Sequence, residues 1–367
     1  MLKEVEWGGQ GWKQYLLTDI FYMTNTKSIA QKNVISDTGI IPYVTAASGN
    51  NGVCTYIDCP VDWQDKGNCI MIGGKTLTIT YQKNDFCSND SHNIALYLKD
   101  EEQATRSHYL FMVSALRSSL KNRYSWGNSI SMKKIKKESF YLPVKDGVID
   151  YAFMERFIAE LEAERVRELE AYLEATGLKD YILTPAERNV LAGGGKRPFK
   201  KFNLRDLFGS STRGKRLKSA DRVCGILPFV TAGEANAGIS DFVGNDVMIF
   251  SSNTVTIDMF GSAKYRNYEY GADDHVAVVH TENVPKLASI YVTAAIHKAS
   301  HDGQFSYARN FYAKDADALN IMLPEKDGRP DWRFMERVIS AVQKIVVQDL
   351  VLYSERKMLA VKEVVNR

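Results

Sequence analysis

The sequence predicts an α+β protein of two pseudo-repeated, β-rich domains, each followed by a long helix, with the two helices packed antiparallel as a spacer. Three observations lead there. LPVKDGVIDYAFMERFI from Leu142 returns as LPEKDGRPDWRFMERVI from Leu323, identical at 11 of 17 positions with an offset of 181 residues. Upstream of each copy lie short β-branched and aromatic runs separated by Gly, Asn and Asp, as expected of strands and turns. Downstream of each, the apolar spacing becomes helical.

In chain order, each half opens on a strand-entry pattern, YLLTDIF from Tyr15 and FNLRDLF from Phe202. GIIPYVTAASGNNGV from Gly39 then matches GILPFVTAGEANAGI from Gly225 without a gap. GNCIMIGG from Gly67 pairs with GNDVMIFS from Gly244, which makes Cys59 to Lys66 an insertion of the first copy. Insertions between matched strands mark loops on a shared scaffold. LTITYQ and IALYL in the first half, and TVTIDMF and VAVVH in the second, read as further strands. His92 matches His275, and Ser125-Trp126 matches Ser306-Tyr307. A shorter helical pattern lies in each half, SHYLFMVSALRSSL and VPKLASIYVTAAIHKAS.

After the Lys-Asp-Gly turn, Asp150 is an N-cap candidate for a stripe of Met154, Phe157, Ile158, Leu161, Leu169, Tyr172 and Leu173 that stops at Thr176-Gly177. The second stripe starts at Asp331 and carries Met335, Val338, Ile339, Val342, Ile345, Val346 and Leu352. At 1.5 Å per residue these helices span about 40 and about 50 Å. An apolar stripe needs a partner, and the other helix is the obvious one. Met154, Phe157, Leu161, Met335, Ile339, Val342 and Val346 are therefore expected at the spacer and subunit interface. The alternative is that each helix packs on its own domain. The expected layout is a first domain at 1–149, helix 150–177, linker 178–200, second domain 201–330 and helix 331–367.

Composition limits the function. The 367 residues are 45% hydrophobic and 25% charged, with a formal net charge of +3, far below a strongly basic nucleic-acid binder. With no secretory leader and no long apolar segment, a cytoplasmic protein without membrane contact is expected. Five cysteines, four of them at 54, 59, 69 and 87, match no usual zinc spacing and read as free thiols. No metal is expected.

Catalytic signals are missing. There is no NPPY-like methyltransferase motif, no GxGxxG after a strand and no PD…ExK nuclease arrangement. AGGGK from Ala192 lacks the first glycine and the following Ser/Thr of a phosphate-binding loop. The paired histidines have no matched nucleophile and base, so no catalytic residue is assigned. Charge is more informative. Residues 1–141 and residues 196–322 each carry 16 Lys+Arg against 13 Asp+Glu, whereas 150–177 carry 3 against 8. The surplus clusters at Lys133, Lys134, Lys136 and Lys137, and at Arg213, Lys215, Arg216 and Lys218. Basic groups in polar loops beside Asn, Ser, Tyr and Trp suit phosphate contacts and base-edge hydrogen bonds. A duplicated protein-interaction adaptor without DNA binding is the alternative.

Two β-rich domains carrying IPYVTA…NNGV and ending in LP-x-KDG before a long helix resemble the DNA specificity subunits of restriction-modification systems, type I or the compact type IIB kind. The resemblance covers nearly the whole chain. It implies a non-catalytic subunit whose two target recognition domains each read half of a bipartite site in double-stranded DNA. The helices would dock methyltransferase or fused endonuclease-methyltransferase subunits, with S-adenosylmethionine and magnesium in those partners and no cofactor here. By position and chemistry, the DNA-contacting candidates are Asn50, Asn51, Lys75, Lys83, Arg123 and Asn128 in the first domain. In the second they are Arg213, Arg216, Lys218, Asn253, Lys264, Arg266 and Arg309. Arginine would read guanine, asparagine adenine, and lysine would position the backbone.

Overall fold

A computed structural model describes residues 11–124, 127–195 and 197–365, which divide into two compact units, 1–168 and 169–367. The matched pair Ser125 and Trp126 lies outside the described residues.

The first unit contains strands β1 (Gly11–Leu16), β2 (Phe21–Asn25), β3 (Ile41–Val44), β4 (Val53–Ile57), β5 (Cys69–Ile72), β6 (Ile79–Gln82), β7 (Cys87–Ser88), β8 (Ile94–Leu98), β9 (Ser139–Lys145) and β10 (Val148–Ile149). Its helices are α1 (Leu17–Ile20), α2 (Arg106–Leu120), α3 (Met132–Ile135) and α4 (Tyr151–Ala175), the last running into the second unit. The second unit continues with α5 (Pro185–Leu191), β11 (Phe199–Asn203), α6 (Leu204–Phe208), β12 (Thr212–Arg213), β13 (Cys224–Val230), β14 (Ile239–Val243) and β15 (Ile249–Phe250). It closes with β16 (Thr254–Asp258), β17 (Ala263–Arg266), β18 (Tyr270–Ala272), β19 (Val276–Val279), α7 (Lys286–Ser300), α8 (Ala313–Ala318), β20 (Asn320–Lys326), β21 (Arg329–Pro330) and α9 (Trp332–Val365).

Each unit holds the same three sheets. The orders β1-β9-β10, β2-β8-β5-β6 and β4-β3-β7 recur as β11-β20-β21, β12-β19-β16-β17 and β14-β13-β18. In the second unit the third sheet gains β15 beside β18. The parallel contact in the third sheet, Tyr43 with Cys87 and Phe229 with Gly271, repeats residue for residue. Apolar faces of the second sheet meet α2 or α7. Ile70, Ile94, Leu96, Met112 and Leu116 fill one core, and Val255, Ile257, Val279, Val292 and Ile296 the other.

The repeated LP-KDG segment is a joint. Asp146 and Gly147, and Asp327 and Gly328, have positive φ (51°, 82°, 53° and 81°), the tight hairpin turn that Asp-Gly favours. Asp150 N–H then donates to Pro143 O, and Asp150 Oδ1 caps the new helix at Phe153 N, 2.8 Å away. Asp331 does the same with Pro324 O and Phe334 N, at 2.9 and 3.1 Å. Arg197 Nε holds the second cap through Asp331 Oδ2 at 2.8 Å. By rise per residue, the 25 residues of α4 and 34 of α9 are about 38 and about 51 Å long.

The structure corrects five expectations. Leu-x-Asp-Leu/Ile-Phe is no strand: it forms the helical turns α1 and α6, because Asp19 and Asp206 sit at N3 and the turn buries Leu17 and Leu204. The second is that GNCIMIGG does not answer GNDVMIFS. Register makes β5 the counterpart of β16, since β5 pairs with β6 as β16 does with β17, so Asn68 corresponds to Asn253: each has positive φ and takes a tyrosine hydroxyl, Tyr81 or Tyr265, on Oδ1. Cys59 to Lys66 is consequently no insertion, since 244–251 with β15 holds the corresponding place. Fourth, 178–200 is more than a linker. It forms α5, whose buried Glu187 accepts from Ser340 Oγ and Lys344 Nζ of α9 at 2.6 and 3.2 Å, and it starts β11. The last correction concerns the helices. Met154 and Met335 are fully buried in the cores of their own units, and Phe157 packs edge-on against Phe111 of α2, so these first turns face inward. Leu161 and Ile339 are half-buried, while Val342 and Val346 are 43% and 73% exposed.

Candidate nucleic-acid interface

Three of the residues chosen from sequence, Arg266, Asn253 and Lys264, are structural. Arg266 is 1% exposed. Its Nε donates to Thr256 Oγ1 at 2.9 Å, and its Nη1 to Ala237 O at 2.8 Å and Tyr268 Oη at 3.0 Å. Gln82 occupies the equivalent place in β6, buried, with Nε2 on Asn51 O at 3.0 Å. Both side chains hold up a loop of three successive left-handed residues, Asn50-Asn51-Gly52 or Asn236-Ala237-Gly238. Only Gly is at ease there: at Gly52 (φ 80°) a Cβ would lie 2.8 Å from Thr45 O. Asn253 is likewise a knot. Its Nδ2 donates to Thr281 O, Glu282 O and Val284 O, so no donor remains for a base. Lys264 is 14% exposed and sits between Glu234, Asp258 and Ser262. These three assignments to DNA are therefore withdrawn.

Asn50 and Asn51 are exposed but serve the turn. Their amides donate to Val53 O and Tyr81 O at 2.9 and 2.8 Å. Moreover, no Lys, Arg or His occurs between Asn33 and Asp65, nor between Val223 and Ala263, while both stretches carry Asp. A cation-free, acidic hairpin is poorly placed beside phosphates. Asparagine chemistry alone points to a base contact, and the charge of its surroundings points away from one.

The second unit's remaining candidates lie at two loops, and the first unit's at three. In the second unit the loop after β12 exposes Lys215, Arg216 and Lys218, and neither Arg216 nor Lys218 has an ion pair or side-chain hydrogen bond among the described residues. Arg213, half-exposed, donates to Asp274 O at 2.7 Å and lies over the Tyr312 ring, 5.5 Å from its centroid. Tyr312 ends the loop before α8, where Arg309, Asn310, Lys314, Asp315 and the 84% exposed Tyr307 surround a cleft of about 390 Å³. Arg213, far away in sequence, is thus brought to Tyr312, which lines one cleft with Arg309, while Arg309 itself lies over the Phe305 ring, 5.3 Å from its centroid. Tyr312 and Lys314 were missed, since neither stands in a basic run.

The same loop in the first unit precedes α3. Asn128 holds the position of Arg309: Ile130 N donates to Gly74 O as Phe311 N does to Met259 O. Lys134 Nζ reaches Asn128 Oδ1 at 2.7 Å and Ser129 O at 2.8 Å, and stands 6.0 Å from the Tyr124 ring centre. Lys133, Lys136 and Lys137 are exposed beside it. Arg123 pairs with Glu138 at 2.6 Å. Burial, then the Glu138 carboxylate, pushes the Tyr124 hydroxyl up to about 12, so it donates to that acid at neutral pH. Lys83 is exposed, and Lys75 pairs with Asp90 at 2.8 Å. Burial opposes ionisation of Asp90, yet the hydrogen bonds from Lys75 and from the His92 N–H and ring outweigh it and hold the carboxyl at about 2. The matched His92 and His275 each face an aspartate, Asp90 at 2.7 Å and Asp274 at 3.2 Å, in the turn before β8 or β19.

Two repeated units whose cations gather beside tyrosines, with no catalytic constellation among the described residues, suit recognition better than chemistry. The family model of the type I restriction modification DNA specificity domain matches this chain twice, at residues 9–171 and 196–347. The chain belongs to that family. As a specificity subunit it is non-catalytic and acts within a restriction-modification complex, where such subunits bind DNA and assemble with methyltransferase or restriction subunits. It is 24% identical over 344 residues to the specificity subunit S.BcgI of a type II restriction enzyme from Heyndrickxia coagulans, covering 91% of this chain and 95% of that one. The S subunit of a type I restriction-modification system from M. genitalium shares the fold, with a TM-score of 0.59 at 13% identity over 97% of this chain and 94% of that one. Among the described residues no helix is long and apolar enough to cross a membrane.

Proposed function

We propose that each unit of this specificity subunit reads one half of a bipartite site in double-stranded DNA through the loops before α3 and α8 and the loop after β12. The observation that carries this is the meeting of Arg213 and Lys314 at the Tyr312 ring, beside a cleft shared with Arg309, which lies over Phe305, with Asn128, Lys134 and Tyr124 at the matching loop of the first unit. Guanidinium groups over an aromatic ring suit phosphate and guanine-edge contacts, and lysines position the backbone. α4 and α9 set the distance between half-sites and, through exposed groups such as Val342 and Val346, dock methyltransferase or fused endonuclease-methyltransferase subunits. S-adenosylmethionine and magnesium belong to those partners. The end-to-end match with S.BcgI supports the compact type II arrangement.

The test combines reconstitution with the partner methyltransferase, sequencing of the methylated DNA, and affinity against salt. Arg216→Ala with Lys218→Ala is expected to keep the fold and to lower the slope of log affinity on log salt by about 0.9 per lost phosphate contact, about 2 in all. Unchanged affinity and slope would remove both residues from the interface. A complex without salt-sensitive DNA binding would favour the adaptor reading.

A further inference from the structure

Cys59 Sγ and Cys87 Sγ lie 2.8 Å apart, closer than two unbonded thiols normally rest, and no function described so far uses them. Cys87 is fully buried in β7, and Cys59 is half-buried at the start of the segment joining β4 to β5. Around them Ile29, Tyr43 and Ile57 form a small apolar cluster of their own. The pair belongs to the first unit alone, since Gly271 of β18 stands where β7 has Cys87.

We propose that Cys59 and Cys87 are a thiol oxidation site, which a peroxide converts to a disulfide that staples the segment 58–66 to β7. The first step falls to Cys59, the more accessible thiol. As thiolate it attacks one peroxide oxygen, the O–O bond breaks, and water leaves with the thiol proton, giving a sulfenic acid. Cys87 sulfur then attacks Cys59 sulfur, the S–O bond breaks, and the hydroxide departs with the Cys87 proton as a second water. The two sulfurs together lose two electrons, which reduce one peroxide to two waters. Burial, then the neighbouring Cys59, pushes the Cys87 thiol up to about 12, which makes it the poorer nucleophile and leaves the first attack to the more accessible Cys59.

The staple would act on a segment already held at its far end. Phe86 and Asp65 exchange backbone hydrogen bonds at 2.7 and 3.1 Å, and Lys27 N donates to both Asp65 oxygens. Lys27 Nζ also reaches Gln64 O at 2.7 Å. A second tie at Cys59 closes the ring around β5 and β6 and fixes the start of the loop between β2 and β3, the counterpart of the second unit's basic loop.

The full chain is treated with hydrogen peroxide, alkylated with iodoacetamide, weighed intact and mapped by peptide. Wild type is expected to lose two hydrogen atoms and to take up two fewer carbamidomethyl groups than the unoxidised chain, to join the Cys59 and Cys87 peptides, and to recover both thiols on addition of dithiothreitol. Cys87→Ser should leave a sulfenic acid on Cys59 that dimedone traps, and Cys59→Ala should form no intramolecular bridge. Cleavage at the exposed segment around Val61 should slow in oxidised wild type and stay unchanged in Cys59→Ala. A wild type that stays fully alkylatable, gains oxygen atoms without bridging, or joins Cys59 to Cys54 overturns the proposal.

Discussion

Arg266 gives the sharpest prediction, because the sequence makes it look like a DNA contact and the structure makes it a strut. Truncation to alanine removes three hydrogen bonds from a buried guanidinium and strands Ala237 O and Thr256 Oγ1 beneath the left-handed loop. Bonds to a charged donor contribute about 1.5–3 kcal/mol each, but they share one side chain, so the expected cost is about 3–5 kcal/mol. That is a large part of the about 5–15 kcal/mol that holds a domain together. Arg266→Gln should cost much less, because Gln82 performs the same service for Asn51 O in the first unit. Urea unfolding followed by circular dichroism separates the cases. The second-unit transition should shift strongly for alanine and weakly for glutamine, with the salt slope of DNA binding unchanged for glutamine. The reasoning fails if alanine unfolds within about 0.5 kcal/mol of wild type, the range of an ordinary surface substitution, while DNA affinity falls.

Three further outcomes are expected. Glu187 is buried, which opposes its ionisation, yet the bonds from Ser340, Thr184 and Lys344 hold its carboxyl down at about 2, below its ordinary 4.5. Its contribution is present above about 4.5 and is lost as pH falls toward 2, so Glu187→Gln should cost about 1–3 kcal/mol at pH 7 and progressively less below pH 4.5, read from urea midpoints; a constant difference refutes this. One heptad inserted after Leu161 lengthens α4 by about 10 Å, near three base pairs, and should widen the spacing between methylated half-sites; unaltered spacing ends the idea of helices as a ruler. Gly52→Ala should destabilise the first unit by about 1–3 kcal/mol in thermal melts, since alanine resists φ near 80° and its Cβ meets Thr45 O.

Much of this protein was legible in its sequence. The repeated LP-KDG-x-x-D segment named the joint, because an Asp-Gly turn and an Asp N-cap are local devices whose geometry depends on a few adjacent residues. The strands CIMI, ITYQ and IALYL, and the helices α2, α4, α7 and α9, were legible for the same reason: periodicity is a local record of which face meets the core. The double copy also points to the specificity family. What sequence could not decide was pairing. Gly67-Asn68 resembles Gly244-Asn245 in letters, yet strand register assigns its role to Ser252-Asn253. Nor could it separate cations at a surface from cations in a core. Arg216 and Arg266 are chemically one residue type in similar polar surroundings, and only the packing of β17 under a turn 29 residues away buries one of them. Local sequence sets turns, caps and periods; burial, register and the meeting of Arg213 with Tyr312 depend on groups distant in the chain, and tertiary structure alone brings those together.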